Sequence, residues 1–569
     1  MSDRAERAAR SAGSGNIPQS SQSSQSSQRS RGGQGGRAIA TIAGVSAVGT
    51  LLSRVTGMAR VLATAGALGA NGVSDAYNLA NTTPNIIYDL ILGGVLSGTL
   101  VPVFIKALNT PESEGGEAAG WEAISAVCTA VAAVLVGASV VFFIATPVII
   151  HFYTLGSHGP QIGAERKLAV SLLYLFVPQL FLYGMTAVAV AILQARRRYA
   201  PGMYTPILNN VIVIAVLIGF ATLIAVDTPA AVRGDSGAVW LLGAGTTAGI
   251  GAMAVALLPY LRSVGARLRP VWNPGHPACR TILRLSGWTF GFVVANQIAY
   301  LVIILLSNHT PGDYSAYTYA YTFMILPHGV WAVSVMAPME TEVAHAWQAG
   351  QLEVARRRLL ESIWLVAVIV VPAGLGMAVL ARPAIAIVLQ HGNLTAHGAR
   401  ATSDALILMA LGLPTYSLYL VLMRAYQAMQ DTRTMFYIYL VENALNIVFD
   451  LALYHRFGIR GLAAGLSLAY AGGAAVAMIH LSRHMGGLGG GALRAAFRSI
   501  LVASVLAAGA AWVATWGMTH LPDSHRQVGI AARVVVGALA GVTVYYVVAA
   551  RALRFEEVRK LLQLRKRPA

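Results

Sequence analysis

Between Ala38 and Ala550, apolar stretches of about 20 residues follow one another with short polar breaks, about fourteen in all, the first centred near Gly49 and the last near Leu539. A run of that length is what an α-helix needs to cross the hydrocarbon of a bilayer, because each residue advances it by about 1.5 Å. The chain has 569 residues, 56% of them apolar and only 11% charged, with a mean hydropathy of +0.61. Soluble domains do not have this composition. The expected fold is therefore an all-α polytopic membrane protein of about 14 transmembrane helices.

An even number of spans puts both termini on one side, and the distribution of arginine chooses which. Arg4 to Arg37, Arg196 to Arg198, Arg262 to Arg284, Arg356 to Arg358, Arg483 to Arg498 and Arg551 to Arg567 all fall on the same side, which is read as cytoplasmic. Opposite loops such as Gly66 to Ser74 and Asn308 to Asp313 contain no lysine or arginine. Most of the net charge of +18 is thus topological. A basic chain could also bind nucleic acid, but that needs a soluble face, so nucleic acid is rejected as a partner. Residues 1–37, rich in Ser, Gln, Gly and Arg, read as a disordered cytoplasmic tail and not as a signal peptide. Cys128 in a predicted span and Cys279 in a basic loop provide no disulfide framework.

Within the first hairpin, Ser46 to Phe104, stand Arg54, Arg60, Asp75 and Asp89. An Arg or Asp at a helix centre costs roughly 2.5 to 3.5 kcal/mol to insert, so such residues face a polar cavity or a partner. Arg54 and Arg60 are six apart, which turns them about 120° from each other on a helix, so they need not share one ligand. Ser53, Gly57 and Arg60 recur at i, i+4 and i+7, a small polar stripe suited to lining a cavity. The alternative for Arg60 is snorkelling to a membrane surface.

The two halves echo each other. Gln194-Ala195 and Asn210 return as Gln427-Ala428 and Asn443, and both 427 minus 194 and 443 minus 210 give 233. Asp75-Ala76-Tyr77 is matched by Ser315-Ala316-Tyr317 at a spacing of 240. The expected division is a tail (1–37), an N-lobe of six helices (38–265), a C-lobe of six (266–485), a terminal helix pair (486–552) and a basic tail (553–569). Repeated helical halves suit transport by alternating access. Pro84, Pro178, Pro327, Pro338 and Pro414 fall inside spans and would kink them. ATP-driven transport needs a Gly-Lys-Ser/Thr loop, and none of the lysines, Lys106, Lys167, Lys560 and Lys566, follows a glycine. No His-Glu-x-x-His or similar metal cluster is present either. The carboxylates of Met339-Glu340-Thr341-Glu342 read as a solvated helix end.

Ser53-Arg54-Val55-Thr56-Gly57-Met58-Ala59-Arg60, Ser74-Asp75-Ala76-Tyr77, Pro84-Asn85 and Gly93-Gly94-Val95-Leu96-Ser97 through Val101-Pro102-Val103 resemble the opening of the MurJ/MviN family of lipid II flippases. These belong to the multidrug, oligosaccharidyl-lipid and polysaccharide exporter superfamily. Gln430-Asp431-Thr432-Arg433-Thr434 resembles the family's Gly-Asp-Thr-Arg-Thr loop, and Asn446 with Asp450 resembles its Asn-x-x-x-Asp helix. The similarity runs from about Ser46 to Tyr470. It implies transport, without enzymatic chemistry or a bound cofactor, of undecaprenyl-pyrophosphate-linked disaccharide-pentapeptide to the outer leaflet of a bacterial plasma membrane for peptidoglycan synthesis. Both termini would be cytoplasmic, and cell-wall synthesis and division proteins would be nearby partners. The terminal helix pair would form a groove for the lipid tail.

By the same resemblance, Arg54 and Arg60 are the leading substrate contacts, with Ser53, Asp75 and Asp89 beside them. Gly57, Pro84 and Asn85 are packing or gate residues, and Asn446 with Asp450 would bind a coupling ion, sodium or a proton, or simply hydrogen-bond between helices. The chain departs from many relatives at Tyr88-Asp89, where they carry Arg-Arg, at Ala320-Tyr321-Thr322, where they carry Ala-Asp-Arg, and at Ile303, where some carry a sodium-binding Asp. These departures, together with Ala-, Gly- and Arg-rich usage, resemble the actinobacterial branch. Two alternatives stay open: a different cargo on the same fold (another polyprenyl-linked glycan, or a drug exchanged for cations), and a membrane scaffold for wall-synthesis enzymes.

Overall fold

A computed structural model describes residues 48–90, 99–114, 116–157, 161–224, 228–487, 490–520 and 526–552. The expected tails 1–37 and 553–569, and the Gly93 to Ser97 motif, lie outside the described residues. In chain order the helices are α1 (48–68), α2 (Gly72–Tyr88), α3 (Val101–Leu108), α4 (Gly116–Tyr153), α5 (Ile162–Ala195), α6 (Ala200–Leu223), α7 (Pro229–Gly234), α8 (Ser236–Ala256) and α9 (Leu258–Ser263). They continue with α10 (Pro277–Ser307), α11 (Asp313–Pro327), α12 (Val333–Gln348), α13 (Leu352–Leu389), α14 (Ala396–Ala428), α15 (Thr432–Phe457), α16 (Ile459–His484), α17 (Gly490–Gly517) and α18 (Gln527–Ala552). Eleven spans among the described residues are long and apolar enough to cross a bilayer. Side chains such as Ile144, Val148, Leu223 and Val542 point outward from them, as a lipid-facing surface requires.

Buried apolar residues form two large cores. The first gathers α2, α4, α5 and α8 around Leu172, Phe176 and Ile192. The second gathers α11 to α16 around Met336, Leu413, Tyr419 and Leu466. Small residues let these helices approach closely, the usual device where lipid supplies no hydrophobic drive between helices. A Cβ on Gly374 would meet the Ala410 carbonyl, and one on Gly120 would meet the backbone of Ala107. α17 and α18 pack on each other and on α13, where Tyr545 Oη donates to the Val368 carbonyl at 2.6 Å. Cys279 belongs to the first turn of α10 and is buried, not in a loop as the sequence reading had it, because Pro277 at the helix start brings that turn into the helix.

The loops 66–71, 308–312 and 391–395 lie together on one face, termed the gated face. Asn393 N–H donates to the Gly66 carbonyl at 2.9 Å, and Asn393 Nδ2 to the Ala67 carbonyl at 2.6 Å. The His309 ring against Tyr454 puts the end of α15 on the same face. Arginines expected on the opposite, basic face pair there with acids: Arg424 with Glu340, and Arg358 with Glu342. The loops Gly66 to Ser74 and Asn308 to Asp313 carry no cation, but helix ends on the gated face carry Arg382, Arg400, Arg456 and Arg460. Two of these, Arg382 and Arg460, share Asp404, which has 15% of its side chain exposed. A carboxylate that three helices bring to their ends keeps those guanidinia in place without reference to membrane sidedness.

The lobes are tied at this face by one buried carboxylate. Asp75 in α2, 0% exposed, accepts from the Ser315 N–H at 2.9 Å, from Ser315 Oγ at 2.6 Å and from the Gly312 N–H. All three donors belong to the start of α11, where orphan N–H groups and the helix dipole favour an anion. Asn78 Nδ2 to Ser315 Oγ (2.9 Å) and Tyr319 Oη to the Gly69 carbonyl (2.9 Å) extend the contact. Replacing Asp75 with Ala strands buried donors at roughly 1 to 3 kcal/mol each. Asp75→Ala should therefore loosen the gated face, read as faster reaction of Cys substituted at Ser315 with a membrane-impermeant maleimide. Equal rates in both backgrounds would show that the carboxylate does not hold the lobes together.

Candidate functional site

Arg54 and Arg60 both lie on α1, but they serve different surroundings. Arg54 is 14 residues from the gated end of the helix, about 21 Å deep at 1.5 Å per residue. It faces the second lobe, with His328 and Tyr416 as its electrostatic neighbours and its guanidinium against Gly329. Arg60 turns back into the first lobe, beside Tyr77 and Tyr183. The 120° offset on one helix produces this separation. Neither arginine is paired with a carboxylate among the described residues.

The stripe expected to run from Ser53 through Gly57 to Arg60 does not line one cavity. Asn210 of α6 donates from Nδ2 to the Ser53 carbonyl (3.3 Å) and to Thr56 Oγ1 (3.1 Å), and a Cβ built on Gly57 would lie 3.7 Å from that same amide. That face of α1 is spent on packing against α6, because an amide with two donors finds its acceptors there. Asp89, at the end of α2, bridges to the second lobe by accepting from Gln297 Nε2 of α10 at 3.4 Å. Tyr88 packs its ring on Tyr183 at 5.9 Å. Asn85 donates to the Asn81 carbonyl at 3.1 Å, and Pro84 is buried within α2.

The second lobe encloses a cavity of about 260 Å³ between α10, α11, α15 and α16. Its walls include Asn296, Ile303, Tyr317, Tyr321, Glu442, Asn443 and Asn446. Glu442, Asn446 and Asp450 recur every four residues along α15, so they form one polar stripe. Glu442 accepts from Asn443 Nδ2 at 3.1 Å. Asp450 is 0% exposed, yet neither carboxylate oxygen has a hydrogen-bond donor among the described residues, and Asn446 Nδ2 has no acceptor. The interhelical hydrogen bond that the sequence left open for this pair is therefore not formed. Orphaned polar atoms of this kind are rare and call for a ligand, an ion or a proton. Tyr321 and Thr322 supply no charge; Thr322 Oγ1 bonds to the Thr318 carbonyl of its own helix at 2.9 Å.

The arrangement contains no nucleophile set beside a base, so its chemistry is recognition and charge. Among the described residues, Arg54 faces the lobe boundary and Arg60 the interior of the first lobe, neither with an acid partner, while Glu442 and Asp450 lie inside the second lobe without a cation partner. Gln297, Gly329 and Glu442 were not singled out from the sequence, and Asn210 and Ser315 stood out there only as repeat matches. Glu442 carried a usable signal, as the acid four residues before Asn446 and eight before Asp450.

Comparison with known proteins follows the same lines. The family described as "Lipid II flippase MurJ" matches residues 64–521. A probable lipid II flippase MurJ of Thermotoga maritima is 24% identical over 428 residues, 75% of this chain and 82% of that protein. One from Synechocystis is 23% identical over 494 residues, 84% of this chain and 89% of that protein. Among solved structures, a lipid II flippase MurJ in an inward closed conformation superposes with a TM-score of 0.71 at 19% identity, covering 89% of this chain and 99% of that one. An inward-facing MATE multidrug transporter of the MOP superfamily gives 0.62 at 14% identity, over 77% and 95% of the two chains. These superpositions establish the shared fold, and with most of its length matched by one family, the chain belongs to the MurJ family.

Proposed function

We propose that this protein carries lipid II from the inner to the outer leaflet of a bacterial plasma membrane by alternating access, with the basic face in the cytoplasm. The observation that supports this most directly is a pair of partly buried arginines on α1 that lack acid partners among the described residues, next to a lobe boundary closed at the opposite face. A pyrophosphate needs cations in a sheltered place, and arginine forks match its oxygens. Arg54 and Arg60 are its proposed contacts, Asp89 and Gln297 border its path, and Asp75 closes the outer gate. With the cell interior negative, moving about two negative charges outward gains roughly 4 to 5 kcal/mol per 100 mV, so the potential can drive the cycle without ATP.

On this reading residues 38–265 and 266–485 are the rocking lobes, and the full set of spans is fourteen. The terminal pair, within 486–552, holds the lipid tail. An apolar cleft of about 360 Å³ between α13 and the pair, lined by Val368, Pro372, Gly376, Ala511, Gly537 and Tyr545, supports that assignment. The stripe Glu442, Asn446 and Asp450 is the proposed site of a coupling cation or proton. Donor chemistry favours it: two free carboxylate oxygens with an amide beside them suit either.

Depletion in the native bacterium should leave lipid II protected from an externally added enzyme that cleaves only its outward-facing pool. Wild type should reverse this, while Arg54→Ala and Arg60→Ala, inserted at normal levels, should not. Full rescue by both variants would defeat the cationic site, and unprotected lipid II in depleted cells would defeat the cargo. For coupling, Asp450→Asn should remove the sodium or pH dependence of flipping in reconstituted vesicles. An unaltered dependence on both would place the coupling ion elsewhere.

A further inference from the structure

The span built from α11 and α12 is interrupted in the middle. Pro327 cannot donate to the helical ladder, and the five residues after it, His328–Ala332, form a wider π turn before α12 resumes. Gly329 is the second residue of that turn, 16 residues from the start of α11 and so about 24 Å from the gated face. Arg54 reaches the same depth from the other lobe. A Cβ built on Gly329 would fall within the guanidinium of Arg54, with Cζ at 2.8 Å. No other part of the glycine's surroundings is as close, so the missing side chain is the space that the arginine occupies.

We propose that Gly329 is a positioning residue, a notch in the π turn that seats the Arg54 guanidinium across the lobe boundary and so presents its unused N–H donors to a phosphate-bearing headgroup. The inference rests on the flippase reading for its cargo but not for its geometry. Arg54 forms no hydrogen bond or ion pair to the described residues, although its guanidinium has five donors. His328 cannot serve as its acceptor through Nδ1, which is engaged with Ser417 Oγ at 2.9 Å. The seat therefore fixes the position of the cation while leaving its charge unsatisfied. An anion arriving between the lobes meets a guanidinium already in place, which spares it the cost of ordering a long side chain.

The sign of one substitution separates this role from a structural one. At a helical position with ordinary backbone angles, Ala is about 0.5 to 1 kcal/mol better than Gly. Gly329→Ala should thus be neutral or stabilising for the fold, and harmful only through Arg54. In full-length protein in nanodiscs, phenylglyoxal labelling resolved by mass spectrometry should show Arg54 reacting faster in Gly329→Ala than in wild type, with Arg60 unchanged. Flipping in vesicles should fall about fivefold or more in Gly329→Ala, and adding Gly329→Ala to Arg54→Ala should cost nothing further, the non-additivity expected of residues in contact. Unchanged Arg54 labelling, or losses that multiply in the double variant, would overturn the notch. A labelling change that persists in a protein unable to flip lipid II would instead overturn the cargo while leaving the notch intact.

Discussion

A carboxylate with no exposure, held by donors from a different half of the chain, is costly to bury and strongly destabilising to abandon. Asp75 is such a group: desolvation is offset because the start of α11 offers it two backbone N–H groups and a hydroxyl at once. The contact also joins the two repeats at corresponding positions, since Asp75-Ala76-Tyr77 and Ser315-Ala316-Tyr317 are the matched triplets. One repeat kept the anion and the other supplied the helix end that it caps. With the lobes tied there, α1 is brought beside α11 and α12, and the seating of Arg54 on Gly329 follows from that approach.

Deeper between the lobes the charges are treated differently. The resemblance implies more arginines at positions where this chain has Tyr88, Asp89, Tyr321 and Thr322. The structure shows how two cations are kept from collapsing onto acids. Asp89 is drawn off toward Gln297, Arg60 has Tyr77 and Tyr183 as its electrostatic neighbours, and Arg54 rests on backbone at a glycine. A guanidinium beside neutral groups keeps its charge available, whereas an ion pair would neutralise it. Fewer cations can serve if those that remain are held unspent.

Much of the architecture was legible in the sequence because its signals are local. Spans declare themselves by length and hydropathy, and the offset between Arg54 and Arg60 follows from helix geometry alone. The first-hairpin charges stood out because membrane insertion penalises them. What could not be read were the partners. The repeat marks Asn210 and Ser315 without saying what they touch, Gln297 is an ordinary polar residue until the fold sets it opposite Asp89, and Gly329 is one glycine among many until an arginine from 275 residues away fills its missing side chain. The Ser53-Gly57-Arg60 stripe misled for a related reason. Spacing places residues on a face but does not say which neighbour that face will meet, and here α6 reached Ser53 and Gly57 first.

Among the described residues, the unpaired cations Arg54 and Arg60 lie on α1, while the orphaned carboxylate of Asp450, with Glu442 along the same stripe, belongs to the second lobe. If an anionic headgroup is held by the first and a cation or proton by the second, occupancy of each site alters the electrostatic cost of bringing the lobes together. Arg54 is where the two effects meet, because it is carried by the first lobe and seated on the second. A charge at about half the thickness of the membrane, with weak screening around it, is felt over longer distances than one at a surface. On the proposed mechanism, coupling between the lobes needs no chain of contacts, only the movement of the Arg54 guanidinium relative to an anion on one side and acids on the other.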